Sequence, residues 1–130
     1  MIVLDASAAV EFLLGTPSGQ RVGARIARPG ETLNAPHLID VEVANALRRW
    51  VRHGQLTDER AWAALQDLQD LVLTRYPHGV LLARIWELRS NASAYDAAYL
   101  SLAEILDAPL VSCDHRADGI PGHRAAVEIF

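Results

Sequence analysis

Four carboxylates, Asp5, Glu42, Asp96 and Asp114, stand where carboxylates are costly unless something compensates them. Asp5 and Asp114 each follow a short apolar run, IVL and PLVSC. Glu42 lies inside LIDVEVANAL, and Asp96 inside SAYDAAYLSLAE, both largely apolar with helical spacing. Like charges brought together repel and raise one another's proton affinity unless a cation is shared among them. A hard divalent ion such as Mg²⁺ or Mn²⁺ takes carboxylate oxygens and retains waters. Three or four acids can hold one or two such ions, which activate water and stabilise a phosphoryl group attacked in line. No cysteine–histidine cluster competes for zinc, and the five histidines show no HExxH or similar spacing.

Each acid also has a plain structural reading. An Asp after a strand can simply start a turn. A Glu on an amphipathic helix usually faces water. Asp96 lies three residues after Ser93, the spacing of a capping box that needs no chemistry. Asp114 can cap the turn at HRADG. Taken one at a time these readings suffice; two strand ends and two apolar helices carrying acids together point to one site.

Polar neighbours follow from periodicity. Glu42, Asn45 and Arg49 share a helix face, so Asn45 is placed to bond Glu42 or a bound water. Asp40 points elsewhere and reads as a first-turn acid favoured by the helix dipole. Ser112 alternates with Asp114 on one side of its strand and is placed to orient it or meet a phosphate. Ser7 has the same choice, with N-capping as the default.

The elements that must position these groups are legible from pattern and punctuation. Strands are predicted at 2–4, 33–35, 72–76 and 109–113, with 125–129 as an edge strand. Helices are predicted at 8–14 behind Ser7, 18–28 up to Pro29-Gly30, and 38–52 up to Gly54. Three more are expected at 58–70 behind Thr57 or Asp58, at 79–90, and at 94–107 behind Ser93. Short apolar strands alternating with helices predict an α/β fold with a mainly parallel sheet, right-handed crossovers and helices on both faces. Ligands of such sheets bind at the carboxyl ends of the strands, where Asp5 and Asp114 fall.

At 130 residues and 51% apolar composition, one domain over 1–130 with a real core is expected, and a disordered chain is excluded. No apolar run is long enough to span a bilayer. No basic residue precedes the first apolar run, which Asp5 and Glu11 interrupt, so no secretory signal is expected. Cys113 is the only cysteine, so no internal disulfide forms and a reducing cytoplasm is the expected compartment. All 12 basic residues are arginine. The net charge of −4 argues against a general nucleic-acid binder. Setting the four site acids aside, however, leaves 16 − 4 = 12 acids against 12 arginines. Arg48, Arg49, Arg52 and Arg116 lie near the motifs and are candidate phosphate contacts, with at least two expected to be plain surface arginines. Tyr95, Tyr99 and the three tryptophans read as core, Trp50 and Trp86 above all.

The order hhhDAS, HLIDVEVANALRR, AYDAAYLSLAE and PLVSCD resembles the PIN-domain family, specifically the VapC-type toxins of bacterial toxin–antitoxin pairs. The resemblance covers essentially the whole chain. It implies a three-layer α/β/α sandwich and a Mg²⁺- or Mn²⁺-dependent endoribonuclease acting on RNA, often a homodimer, inhibited by a small cognate antitoxin. By motif match it makes Asp5, Glu42, Asp96 and Asp114 the acidic site, with Ser7, Asn45 and Ser112 as polar support. Ser112 stands where threonine is common in the family and keeps the hydroxyl; Asp118 is not carried over. Alternatives are a PIN-fold ribonuclease of RNA maturation and a non-catalytic module on the same fold. A phosphoryl-transfer domain is a further rival, but the dehalogenase type wants an Asp at position 7 and the receiver type a lysine, and the chain has neither.

Overall fold

The computed structural model describes residues 1–130. Five strands form one parallel sheet: β1 (Ile2–Leu4), β2 (Leu33–Pro36), β3 (Leu73–Tyr76), β4 (Leu110–Ser112) and β5 (Val127–Ile129), in the order β3-β2-β1-β4-β5. Every pairing is parallel, so the sheet is wholly rather than mainly parallel. β1 is central, with Val3 opposite Asn34 on one side and Leu110 on the other. Ile2, Val3 and Leu4 are all fully buried. Since alternate residues face opposite sides of a sheet, both faces of β1 are covered.

Two helix groups provide that cover. α1 (Ala6–Leu14), α2 (Pro17–Ile26), α3 (Ile39–Arg52) and α4 (Asp58–Asp70) form one, with α1 packed against α2, α3 and α4. α5 (Leu82–Glu87) and α6 (Ala94–Leu106) form the other, with α6 lying on β1, β2 and β4. A single apolar core of 28 buried residues runs through the layers. The one buried amide in the strands, Asn34, is satisfied: its Nδ2 donates to the Ile2 and Thr32 carbonyls and its Oδ1 accepts from the Tyr76 hydroxyl. No helix is long and apolar enough to cross a membrane.

Three expectations change. The first helix starts at Ala6, and its cap is Asp5 rather than Ser7: Asp5 Oδ1 accepts from the Ala8 amide at 2.9 Å. The helix expected at 79–90 breaks into a 3₁₀ turn, His78–Leu81, and the six-residue α5. Leu81, Ile85 and Leu88 still form one inward stripe against the core, while Val80, Leu82 and Trp86 face outward, so the change lies at the ends, where the first turn is 3₁₀ and the α-helix stops at Glu87. Trp62, Trp86 and Tyr95 are exposed, not core; Arg89 covers the Trp86 ring at 4.8 Å. Tyr99 is buried as expected.

Candidate active site

β1 ends at the carboxyl edge of the sheet, and its next residue is held by three donors. Ser7 Oγ donates to Asp5 Oδ1 at 2.6 Å, beside the Ala8 amide, and Ser112 Oγ donates to Oδ2. The two serines are tied in turn to the neighbouring strand end. The Cys113 amide donates to Ser7 Oγ at 2.9 Å and the Asp114 amide to Ser112 Oγ at 3.0 Å. Ser112 therefore orients the Asp5 carboxylate, while it reaches Asp114 only through the backbone. Ser7, freed from capping, joins the α1 start to β4.

Asp5, Glu42, Asp96 and Asp114 line one cleft of about 260 Å³ with Ser7, Asn45, Arg49, Tyr99 and Arg116. α3 presents Glu42, Asn45 and Arg49 along one face, as their spacing predicts. The Asn45 side chain makes no hydrogen bond within the protein, so it does not brace Glu42. That task falls to Tyr99, whose hydroxyl donates to Glu42 Oε2 at 2.6 Å across the gap between α6 and α3. Tyr99 follows Asp96 by three residues on the same helix face; this spacing was the only signal of it in the sequence. Tyr99→Phe keeps the packed ring and releases Glu42. Divalent-cation affinity is expected to fall about 10- to 100-fold with little change in melting temperature, as calorimetric titration would show; unchanged affinity would remove Tyr99 from the site.

Ser93 caps α6 through the Asp96 amide at 3.1 Å, but the Asp96 carboxylate returns no bond to the Ser93 N–H. The capping box is thus half made, and the carboxylate faces the cleft unpartnered. Asp114 is held otherwise: the Arg116 guanidinium forks onto it, with Nη2 to Oδ2 at 2.7 Å, and the Arg116 amide closes the turn onto Oδ1. Of the four arginines proposed for phosphates, Arg49 and Arg116 reach this cleft. Arg48 and Arg52 line a separate groove between α3 and α4 beside Trp62. Asp118 is exposed outside the cleft. Asp40 points away, as expected, and pairs with Arg75 on β3.

Charge is unevenly compensated here. Burial pushes the Asp5 carboxyl above its ordinary value against the pull of its three hydrogen bonds. Burial also raises Glu42, aided by the nearby charges of Asp5 and Asp96 and opposed by the Tyr99 bond and Arg49. Arg116 holds Asp114 below its ordinary value. Burial pushes the neighbouring Cys113 thiol up to about 11, so it is a protonated bystander.

No three acid, histidine or cysteine side chains close on a single point, so the arrangement is an open cluster and not a finished cage. Its chemistry still suits a hard cation. The donors are all oxygen, Glu42 Oε1 and the Asp96 carboxylate have no protein partner, and the strain of like charge is unrelieved.

The PIN-domain family model matches residues 2–122. This chain belongs to the PIN-domain family. The match rules out the receiver and dehalogenase alternatives. Ribonuclease VapC12 of Mycobacterium tuberculosis is 41% identical to this PIN domain over 129 residues, covering 99% of this chain and 98% of the relative. Ribonuclease VapC9 of the same organism is 47% identical over 116 residues, covering 89% and 87%. Among solved structures, VapBC2 from Rickettsia felis bound to a promoter DNA fragment superposes with a TM-score of 0.72 at 16% identity, covering 100% of this chain and 99% of that one. The sarcin-ricin-loop-cleaving toxin VapC20 of M. tuberculosis superposes with a TM-score of 0.71, also at 16% identity, covering 95% and 97%. At that identity the superpositions establish the α/β/α PIN fold. PIN-domain VapC nucleases are generally divalent-metal dependent.

Proposed function

We infer that this PIN domain, taken as one unit over 1–130, is a divalent-metal-dependent endoribonuclease and the toxin of a toxin–antitoxin pair. The observation that carries the chemistry is the convergence of Asp5, Glu42, Asp96 and Asp114 on one cleft at the sheet's carboxyl edge. Its relatives' ribonuclease activity supplies the substrate class.

Glu42 and Asp96 have free carboxylate oxygens that would hold Mg²⁺ or Mn²⁺, with Asp5 held in the same cleft and Asp114 available once Arg116 swings to a phosphate. A bound divalent ion supplies charge stabilisation of the phosphoryl group and lowers the pKa of water. Glu42 would take the cation through Oε1, while the Tyr99 hydroxyl holds Oε2 in place. Asp5 needs no proton transfer; its three donors keep the carboxylate aimed. Arg49 and Arg116 contact RNA phosphates on either side of the acids. No serine–histidine pair is present in the cleft, so no covalent enzyme intermediate is invoked.

A small antitoxin as partner agrees with the toxin–antitoxin complexes among the fold's neighbours. Homodimerisation rests on the family resemblance, and the exposed Leu82 and Trp86 of α5 are apolar surface that an interface would cover. A cytoplasmic location is the reading that the single free cysteine supports.

The direct test is cleavage of single-stranded RNA by the purified protein with Mg²⁺ or Mn²⁺ and with EDTA. Internal cuts that vanish in EDTA are expected; RNA left intact under every metal would end the ribonuclease reading. Growth arrest on expression, relieved by the adjacent small gene, separates a toxin from an RNA-maturation enzyme. Metal binding itself has a predicted pH dependence. Raised carboxyl pKa values mean that the folded metal-free protein holds more protons than the unfolded chain, so Asp5 and Glu42 lower its stability as pH rises past the ordinary carboxylate range. A cation removes that penalty and competes with the protons. The melting-temperature gain from saturating Mn²⁺, about 5–10 °C at pH 7.5, is therefore expected to shrink markedly at pH 5.

A further inference from the structure

The acids border a second, smaller cavity of about 140 Å³ on the side away from α3. Asp5, Asp96, Asp114 and Arg116 line both spaces, so the two meet at the proposed reaction centre. Its own walls come from the turn before α6 (Asn91, Ala92, Ser93) and from the 3₁₀ turn after β4 and the residue that follows it (Ala117, Ile120). The apolar part of the lining is Ala92, Ala117 and Ile120. The same lining carries uncommitted polar groups. Ser93 Oγ accepts from the Asp96 amide, and its own proton has no partner. Asn91 Nδ2 is pinned to the Pro121 carbonyl at 3.1 Å, leaving Oδ1 free. Arg116 forks onto Asp114 through Nε and Nη2, leaving Nη1 unbonded at the junction of the two cavities.

From this juxtaposition we propose that the cavity is a nucleobase subsite, taking the base of one nucleotide that flanks the scissile phosphate. The proposal rests on the ribonuclease reading and adds where sequence preference is set. Its size suits one heterocyclic ring system and little more, being several times the ~30 Å³ share of a liquid water. An apolar floor with a few convergent polar groups is the usual build of such a site. Arg116 then contacts the phosphate between the cavity and the α3 side, where Arg49 marks the outgoing strand.

Two variants outside the acidic machinery test this in opposite directions. Ala117→Leu narrows the cavity and Ile120→Ala widens it. Cleavage of a single-stranded RNA pool with randomised central positions, in Mn²⁺, is read by sequencing the new ends. Ala117→Leu is expected to lower purine relative to pyrimidine about tenfold at one position beside the cut, and Ile120→Ala to relax preference at that same position. Preference at other positions stays constant. Nucleoside monophosphates titrated into the metal-free protein should shift amide signals at Ala92, Ala117 and Ile120 in wild type and less in Ala117→Leu. Cleavage by both variants with the wild-type preference, or nucleotide shifts elsewhere only, would overturn the subsite. Absence of any cleavage by wild type would instead overturn the ribonuclease reading beneath it.

Discussion

Asp5→Asn is expected to lower metal-dependent RNA cleavage by about 10³-fold or more while the protein melts at the same temperature or slightly higher. The two halves of this expectation have separate causes. The amide keeps an oxygen for the Ala8 N–H and the Ser7 hydroxyl, so the α1 cap survives. Ser112 loses an anionic acceptor but lies beside Ser7 Oγ at 3.3 Å, which can take its proton. Removing the charge also relieves the burial cost that raises the Asp5 carboxyl. What the amide cannot do is neutralise a cation or hold its share of the cluster's charge. Circular dichroism, melting and cleavage measured on one preparation distinguish these effects. Wild-type cleavage by Asp5→Asn would remove Asp5 from the reaction, and a collapsed melting temperature would show that its role is structural.

The largest stability effect is expected away from the acids, at Gly19. A Cβ there would stand 1.8 Å from the Glu11 carbonyl oxygen and 2.4 Å from its carbon. Both are backbone atoms of α1, so no rotamer change relieves the clash, and α1 and α2 must separate. Overpacking that moves backbone costs about 3 kcal/mol or more, a fall of roughly 10 °C or greater in melting temperature. Because Asp5 caps α1 and the helix carries Ser7, cleavage should fall as well. Gly23 is the internal control. Its Cβ would meet only the Phe12 ring at 3.4 Å, so Gly23→Ala should be neutral or stabilise by up to about 1 kcal/mol through helix propensity. Equal stability of the two variants would contradict the close approach of α1 to α2.

Much of this site was legible before folding, because strand ends and helix faces are written in short-range rules. Period two and period 3.6 placed Asp5 and Asp114 at strand termini and put Glu42, Asn45 and Arg49 on one face. Caps and terminators bounded α3, α4 and α6 to within a residue. The motif order carried the family. Local rules failed where two acceptable local solutions compete. Asp5 and Ser7 can both cap α1, and the choice went to Asp5 because Ser7 has partners 105 and 106 residues away, in Ser112 and Cys113. The helix over 79–90 kept its inward stripe of Leu81, Ile85 and Leu88 but lost its ends, opening as a 3₁₀ turn and stopping at Glu87.

By itself the sequence determined that Asp5 and Asp114 end strands of a parallel sheet, since strand ends follow from backbone periodicity, while the motif resemblance added Glu42 and Asp96. Only the tertiary structure decided how each acid is held. Tyr99 reaches Glu42 across 57 residues, and Ser112 reaches Asp5 across 107. Arg116, though largely exposed, forks onto Asp114, and Arg48 and Arg52 fell on another groove. Side-chain partners and local dielectric depend on which surfaces are brought face to face, and no spacing along the chain encodes that.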